Sequence, residues 1–157
     1  MRFTLTVLSD RIKQTKFESA GQEAILSILI CADHFREDLN DICLKENISL
    51  KQFNILRILK GVFPDGYARC DISNRMVERA PDTTRIIDRL VKCGLVSRDK
   101  SPDDLRQSIA KITEEGINLL KKLSIKVKEY NTNFESKIST EKCEDISSIC
   151  DQIMMKE

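Results

Sequence analysis

Arg85, Arg89, Arg98, Lys100 and Arg106 are the side chains of this sequence whose type and spacing could do chemistry, and that chemistry is recognition of an anion rather than catalysis. A guanidinium is a fixed fork of donors that grips phosphate oxygens or the O6 and N7 edge of guanine two at a time. If residues 81–93 form a helix, Asp82, Thr84, Arg85, Asp88 and Arg89 fall on one side, and Ile86, Ile87, Leu90 and Val91 on the other. Arg98 and Lys100 lead into the loop Asp99-Lys100-Ser101-Pro102-Asp103-Asp104-Leu105-Arg106, which reads as the tip of a β-hairpin. Helix, turn, helix and charged hairpin in that order present one helix to a DNA major groove and an arginine-tipped wing to the minor groove beside it.

Catalytic constellations are missing from the pattern. The sequence contains no G-x-S-x-G, no phosphate loop, no H-E-x-x-H and no cysteine with an evident histidine partner. The single histidine, His34, precedes Phe35 in an apolar-periodic stretch, where a core-edge position is expected in preference to a role in a ligand pocket or metal site. Six cysteines (Cys31, Cys43, Cys70, Cys93, Cys143, Cys150) include no C-x-x-C pair, so they are expected to pack as small apolar residues; a redox switch stays open. Neither a metal nor a cofactor is expected.

The overall charge of +1 conceals an uneven distribution. Residues 69–111 carry 10 Lys/Arg against 7 Asp/Glu, and seven of the ten cations are Arg, whereas residues 1–50 and 112–157 each have a net charge of −2. Cations therefore gather where the recognition elements are expected. The apolar stretch Ala24–Ala32 is far shorter than a bilayer span, and residues 1–10 lack a leader-like apolar core, so a soluble cytoplasmic chain without a membrane partner is expected.

The elements that must hold these residues follow from punctuation and periodicity. Gly and Pro, apart from Gly21, all fall between Gly61 and Gly116, which leaves both ends free for long helices. Ile25, Ile28, Ala32, Phe35, Leu39 and Ile42 advance by alternate threes and fours, as do Leu120, Leu123, Val127, Tyr130 and Phe134, and then Ile146, Ile149 and Ile153 after a Ser139-Thr140 start. Such narrow stripes belong to helices that lie on other helices, either those of their own domain or, the favoured expectation, those of a second copy. Ser49 and Gln52 predict a capping box opening a helix that buries Phe53, Leu56 and Leu59 and ends at Gly61. Asp71 is expected to cap a short helix, 72–78, and Pro81 to occupy the first position of the next, which stops at Gly94. Strands are expected at 95–98 and 107–112, and Thr113 is expected to cap a final long helix.

From Leu50-Lys51-Gln52-Phe53-Asn54-Ile55-Leu56, through Thr84-Arg85-Ile86-Ile87-Asp88-Arg89-Leu90, Gly94-Leu95-Val96 and Asp104-Leu105-Arg106, to Ile112-Thr113-Glu114-Glu115-Gly116, the chain resembles the MarR family of bacterial transcriptional regulators. The resemblance implies a mainly α fold with a small β-hairpin wing, a winged helix-turn-helix with long N- and C-terminal dimerisation helices. Residues 1–157 would form one domain, with 1–48 and 117–157 as the dimerisation part and 49–116 as the DNA-binding lobe. It further implies a homodimer on double-stranded DNA and a possible small-molecule effector between the two parts. Asp82, Thr84 and Arg85 would approach base edges, Arg106 would enter the minor groove, and Asp104 would orient the wing. Two departures stand out: Leu105 replaces a second cation of the wing, and Val77-Glu78-Arg79-Ala80 lacks the common Gly, which implies a longer turn or a shifted first helix. The rival reading is a winged-helix module that binds protein through the same helix, whose mark would be a charge-neutral recognition surface.

Overall fold

A computed structural model describes residues 7–14, 16–100 and 108–155. It consists of α1 (Val7–Ile12), α2 (Ala20–Leu44), α3 (Leu50–Lys60), β1 (Tyr67–Ala68), α4 (Arg69–Arg75), α5 (Thr83–Lys92), β2 (Val96–Lys100), β3 (Ser108–Ile112), α6 (Glu114–Ile138) and α7 (Thr140–Met154). The architecture is mainly helical with a small antiparallel sheet, ordered β1-β3-β2.

Local chemistry sets most of the boundaries. Ser49 accepts from the Gln52 amide while the Gln52 side chain accepts from the Ser49 amide, so the expected capping box opens α3. α5 ends in a Schellman arrangement: Leu95 N–H donates to the Leu90 carbonyl and Gly94 N–H to that of Val91, with Gly94 at φ +73°. Thr113 caps α6 by accepting from Gly116 N–H, and its own hydroxyl donates to the Gly94 carbonyl at 2.7 Å. One residue thus starts α6 and ties it to the end of α5.

Two expected boundaries are corrected. Asp71 does not cap its helix; α4 begins at Arg69 behind Ala68, and Asp71 sits inside the first turn. The cause is nonlocal, because Tyr67 and Ala68 pair with Ala110 and Ile109 of β3 and the chain enters the helix directly from that strand. Pro81 does not occupy the first helical position either, since Asp82 is the N-cap and α5 starts at Thr83, whose hydroxyl donates to the Ala80 carbonyl at 2.6 Å. The segment joining α4 to α5 runs over residues 76–82, and the first of the two helices is shifted towards the N-terminus. A shifted first helix is one of the two alternatives that the missing turn glycine left open. The strand expected at 95–98 runs from Val96 to Lys100.

The core lies where α3, α4, α5 and the sheet meet the C-terminal end of α2 and the N-terminal half of α6. Ile55, Leu56, Leu59, Ile72, Ile87, Leu90 and Leu123 are fully buried in it, with Cys43, Val96, Ala110 and Ile112 beside them. Glu46, after α2, accepts from Lys122 at 2.6 Å and Lys126 at 2.8 Å and so holds that end of α2 to α6. Outside this region the long helices are open. Ile25, Ile28 and Leu29 of α2 are exposed, as are Ile146, Ile149 and Ile153 of α7, and α7 buries no residue.

Candidate nucleic-acid interface

α5 sorts its residues as the periodicity predicted. Thr83, Ile86, Ile87 and Leu90 are buried, while Asp82, Thr84, Arg85 and Arg89 are exposed on the opposite face. Burying one apolar stripe fixes the rotation of the helix, and that rotation turns the polar set outward. Asp82 makes no capping bond with its side chain, and among the described residues neither Arg85 nor Arg89 has a carboxylate within ion-pair reach. These four residues share one solvent-facing surface.

The hairpin residues divide differently. Arg98 on β2 is not a free cation: its Nη1 lies 2.7 Å from Asp88 Oδ1 on α5. Lys111 on β3 similarly reaches Asp99 on β2 at 2.9 Å. Lys100 is exposed at the end of β2, opposite Ser108. Asp104 and Arg106 lie outside the described residues.

Two further features have lining residues that sequence reasoning did not name as such, although the resemblance implied a ligand place between the two parts. One is a cavity of about 420 Å³ walled by α2, α3, α6 and residues 76–78. Phe35, Leu39 and Val127 give it apolar sides, and Arg36, Lys51 and Arg57 stand at its edges. Arg36 is paired with Asp33 and Lys51 with Glu78, but Arg57, over the Phe53 ring at 6.0 Å, has no carboxylate partner among the described residues. Asn54 also lines the cavity, and its Oδ1 accepts from Val77 N–H at 3.0 Å. The signal in the sequence was an amide placed between Phe53 and Ile55 in an otherwise apolar run. The second missed feature is a cleft formed by Ser73, Asn74, Met76, Arg79, Ala80 and Pro81 on the segment between α4 and α5.

His34 is exposed on α2, with Nε2 3.5 Å from Asp38 Oδ2; the same oxygen accepts from Tyr130 Oη at 2.8 Å. Burial and the Asp38 carboxylate push the Tyr130 phenol up to about 12. The Tyr130–Asp38 bond, with the edge-on Phe35–Phe134 pair at 5.2 Å, binds α2 to α6. The cysteines are all free thiols: Cys31, Cys70 and Cys93 are exposed, Cys143 and Cys150 half-buried, and Cys43 buried. Among the described residues no helix is long and apolar enough to cross a membrane.

Comparison with known proteins gives a consistent picture. The MarR family profile matches residues 48–108. The HTH-type transcriptional regulator FarR of Neisseria gonorrhoeae is 32% identical over 108 residues, 69% of this chain and 70% of that protein. A MarR transcription factor from Planctomyces limnophilus is 31% identical, with a TM-score of 0.67 over 87% of this chain and 99% of its own. NadR, solved in complex with 4-hydroxyphenylacetate, is 26% identical, with a TM-score of 0.66 over 92% of this chain and 98% of its own.

Proposed function

The chain belongs to the MarR family of transcriptional regulators, which are not enzymes, and from that premise we propose that it acts in the cytoplasm as a homodimer on a pseudo-palindromic DNA operator, under the control of a small ligand. The observation that carries the reading is the outer face of α5, where Asp82, Thr84, Arg85 and Arg89 stand together with both guanidiniums unpaired among the described residues. A helix so oriented fits a major groove, with Lys100 and Arg106 of the wing reaching the adjacent minor groove and Asp104 orienting the tip.

Dimerisation is supported by the apolar residues that one chain leaves open. Ile25, Ile28 and Leu29 on α2 and Ile146, Ile149 and Ile153 on α7 are 44% to 63% exposed, two apolar stripes that a solvated monomer would rarely retain. A second copy pairing residues 1–48 and 117–157 would cover them and place two α5 helices one turn of DNA, about 34 Å, apart. Residues 49–116 then form the DNA-binding lobe.

The cavity supplies the ligand site. Its apolar walls and the uncommitted Arg57 suit a small amphipathic anion, a class that includes the 4-hydroxyphenylacetate held by NadR. Because Met76, Val77 and Glu78 form one wall, a ligand there bears on the segment that leads into α5. Titration onto DNA from upstream of the chain's own gene, against scrambled DNA at physiological salt, tests the reading. Tight binding with two-fold symmetric protection is expected; equal, weak binding to both at that locus and across a genomic library would sink it.

A further inference from the structure

We infer that the cleft of Ser73, Asn74, Arg79 and Pro81 seats a phosphate of the DNA backbone, an inference that rests on the DNA-binding reading above. The cleft has a volume of about 540 Å³ and sits between the end of α4 and the start of α5. Its polar side chains can all donate: the Arg79 fork, the half-buried Ser73 hydroxyl and the NH2 of the Asn74 amide.

Charge pairing singles out Arg79. On α4, Arg75 is committed, its guanidinium 4.2 Å over the Tyr67 ring and its Nη1 donating to the Asp71 carbonyl at 2.9 Å. Arg79 is exposed and, among the described residues, has no carboxylate partner. The nearest acids in sequence are Glu78, which pairs with Lys51 at 3.6 Å, and Asp82; neither lines the cleft. The Ala80 carbonyl, an acceptor that would repel an anion, is engaged by both the Thr83 N–H and the Thr83 hydroxyl.

Position supplies the occupant. In a helix-turn-helix the second helix enters the groove while the first crosses the sugar-phosphate backbone. Pro81 leads straight to Asp82 and the exposed face of α5, so a duplex lying on that face brings one strand's phosphates over the mouth of the cleft. The contact is blind to sequence, because phosphates are identical at every base pair.

The test is the salt dependence of binding, measured for the full chain on its operator and on scrambled DNA. Arg79→Gln is expected to flatten the slope of log K against log salt by about 0.9 per protomer and to weaken both DNAs by the same factor. Lys121→Gln, which alters an exposed cation on α6, is expected to leave the slope unchanged. An Arg79→Gln slope equal to that of the parent chain, on DNA that the parent binds, would overturn the cleft alone. Failure of the parent chain to bind any DNA would overturn the function and the cleft together. Thermal melting of the variant confirms that the fold is intact, as an exposed side chain outside the core predicts.

Discussion

Asp88 on α5 and Arg98 on β2 are joined by an ion pair of 2.7 Å, so the helix proposed to face the major groove and the first strand of the hairpin are tied to each other by their side chains. Both side chains remain a third or more exposed, at 44% and 33%, and such a pair adds only about 0–1 kcal/mol to stability. Its effect lies in geometry. Arg98 holds the wing at a set angle to α5 and has little charge left for a phosphate. Arg98→Ala is therefore expected to change the salt slope of DNA binding by much less than the ~0.9 of a full phosphate contact. Arg85→Ala, by contrast, should cost about 1–3 kcal/mol on the operator and relax its sequence preference. Anisotropy titrations over a salt series check both, and a full unit of slope lost in Arg98→Ala would show that Arg98 leaves Asp88 for DNA.

Two glycines near the base of the wing answer to different constraints. Gly116, in the first turn of α6, lies so close to β2's approach that a Cβ there would stand 2.3 Å from the Leu95 carbonyl oxygen, a backbone atom that cannot swing aside. Gly94 faces open space but holds φ +73°. Gly94→Ala should cost about 1 kcal/mol, the usual penalty for a side chain in the left-handed region. Gly116→Ala should cost clearly more, since either α6 or the Leu95 segment must move. Urea melts at one pH rank the two; a smaller loss for Gly116→Ala would mean that α6 shifts without strain.

What could be read from the sequence was what neighbours in sequence decide. The Ser49–Gln52 capping box, the Thr113 cap, the stop at Gly94 and the two-sided pattern of α5 are set within three or four residues, and each stands where the pattern placed it. The errors arose where pairing across the chain takes over. Asp71 is a good cap by type, but Tyr67 and Ala68 are claimed by β3, more than forty residues on, and the helix starts before Asp71 is reached. Arg98 stands among the expected DNA contacts, and its pairing with Asp88, which lies on a different element, is a contact that its neighbours in sequence do not signal. The resemblance implied a ligand place between the two parts, but the cavity's lining was not legible for the same reason, since its walls come from four separate segments.

Glu46 gives the fold an acid-sensitive joint. Hydrogen bonds from Lys122 and then Lys126 lower its pKa from the ordinary 4.5. A carboxylate with a depressed folded-state value stabilises the fold above its unfolded value and loses that contribution as the pH falls through the folded one. The contribution is thus whole above about pH 4.5 and fades below it. Glu46→Gln is expected to flatten the acid side of the stability curve and to leave its slope near neutrality unaltered. An unchanged acid limb would mean that the two lysines are not held by Glu46 in solution.

Cysteine chemistry should separate by burial. Cys43 is fully buried in the core, and that burial pushes its thiol up to about 11, so it holds its proton at neutral pH. Cys70 on α4 and Cys93 after α5 are exposed. Alkylation at pH 8 followed by peptide mass mapping should label Cys70 and Cys93 promptly and Cys43 only after denaturation. Early labelling of Cys43 would show that the packing of α2 against the core opens on the timescale of the reaction.

The Asn54–Val77 hydrogen bond of 3.0 Å ties α3 to the segment that leads into α5, at the wall of the cavity proposed to hold the ligand. Val77 is 90% exposed, so water can replace the lost acceptor in Asn54→Ala, and the fold should lose no more than about 1 kcal/mol. With this tie removed, Met76, Val77 and Glu78 still wall the cavity but no longer report through a fixed backbone group. Operator affinity should fall, because the segment that leads into α5 is then held less firmly. Any amphipathic acid that releases the parent chain from DNA should also release the variant less completely, because a ligand shifts an equilibrium only by its unequal contacts with the two states. Release curves for the two proteins, measured with the same acid, decide the matter; identical curves would place the coupling elsewhere, with the Lys51–Glu78 pair at 3.6 Å as another bridge from α3 to that segment.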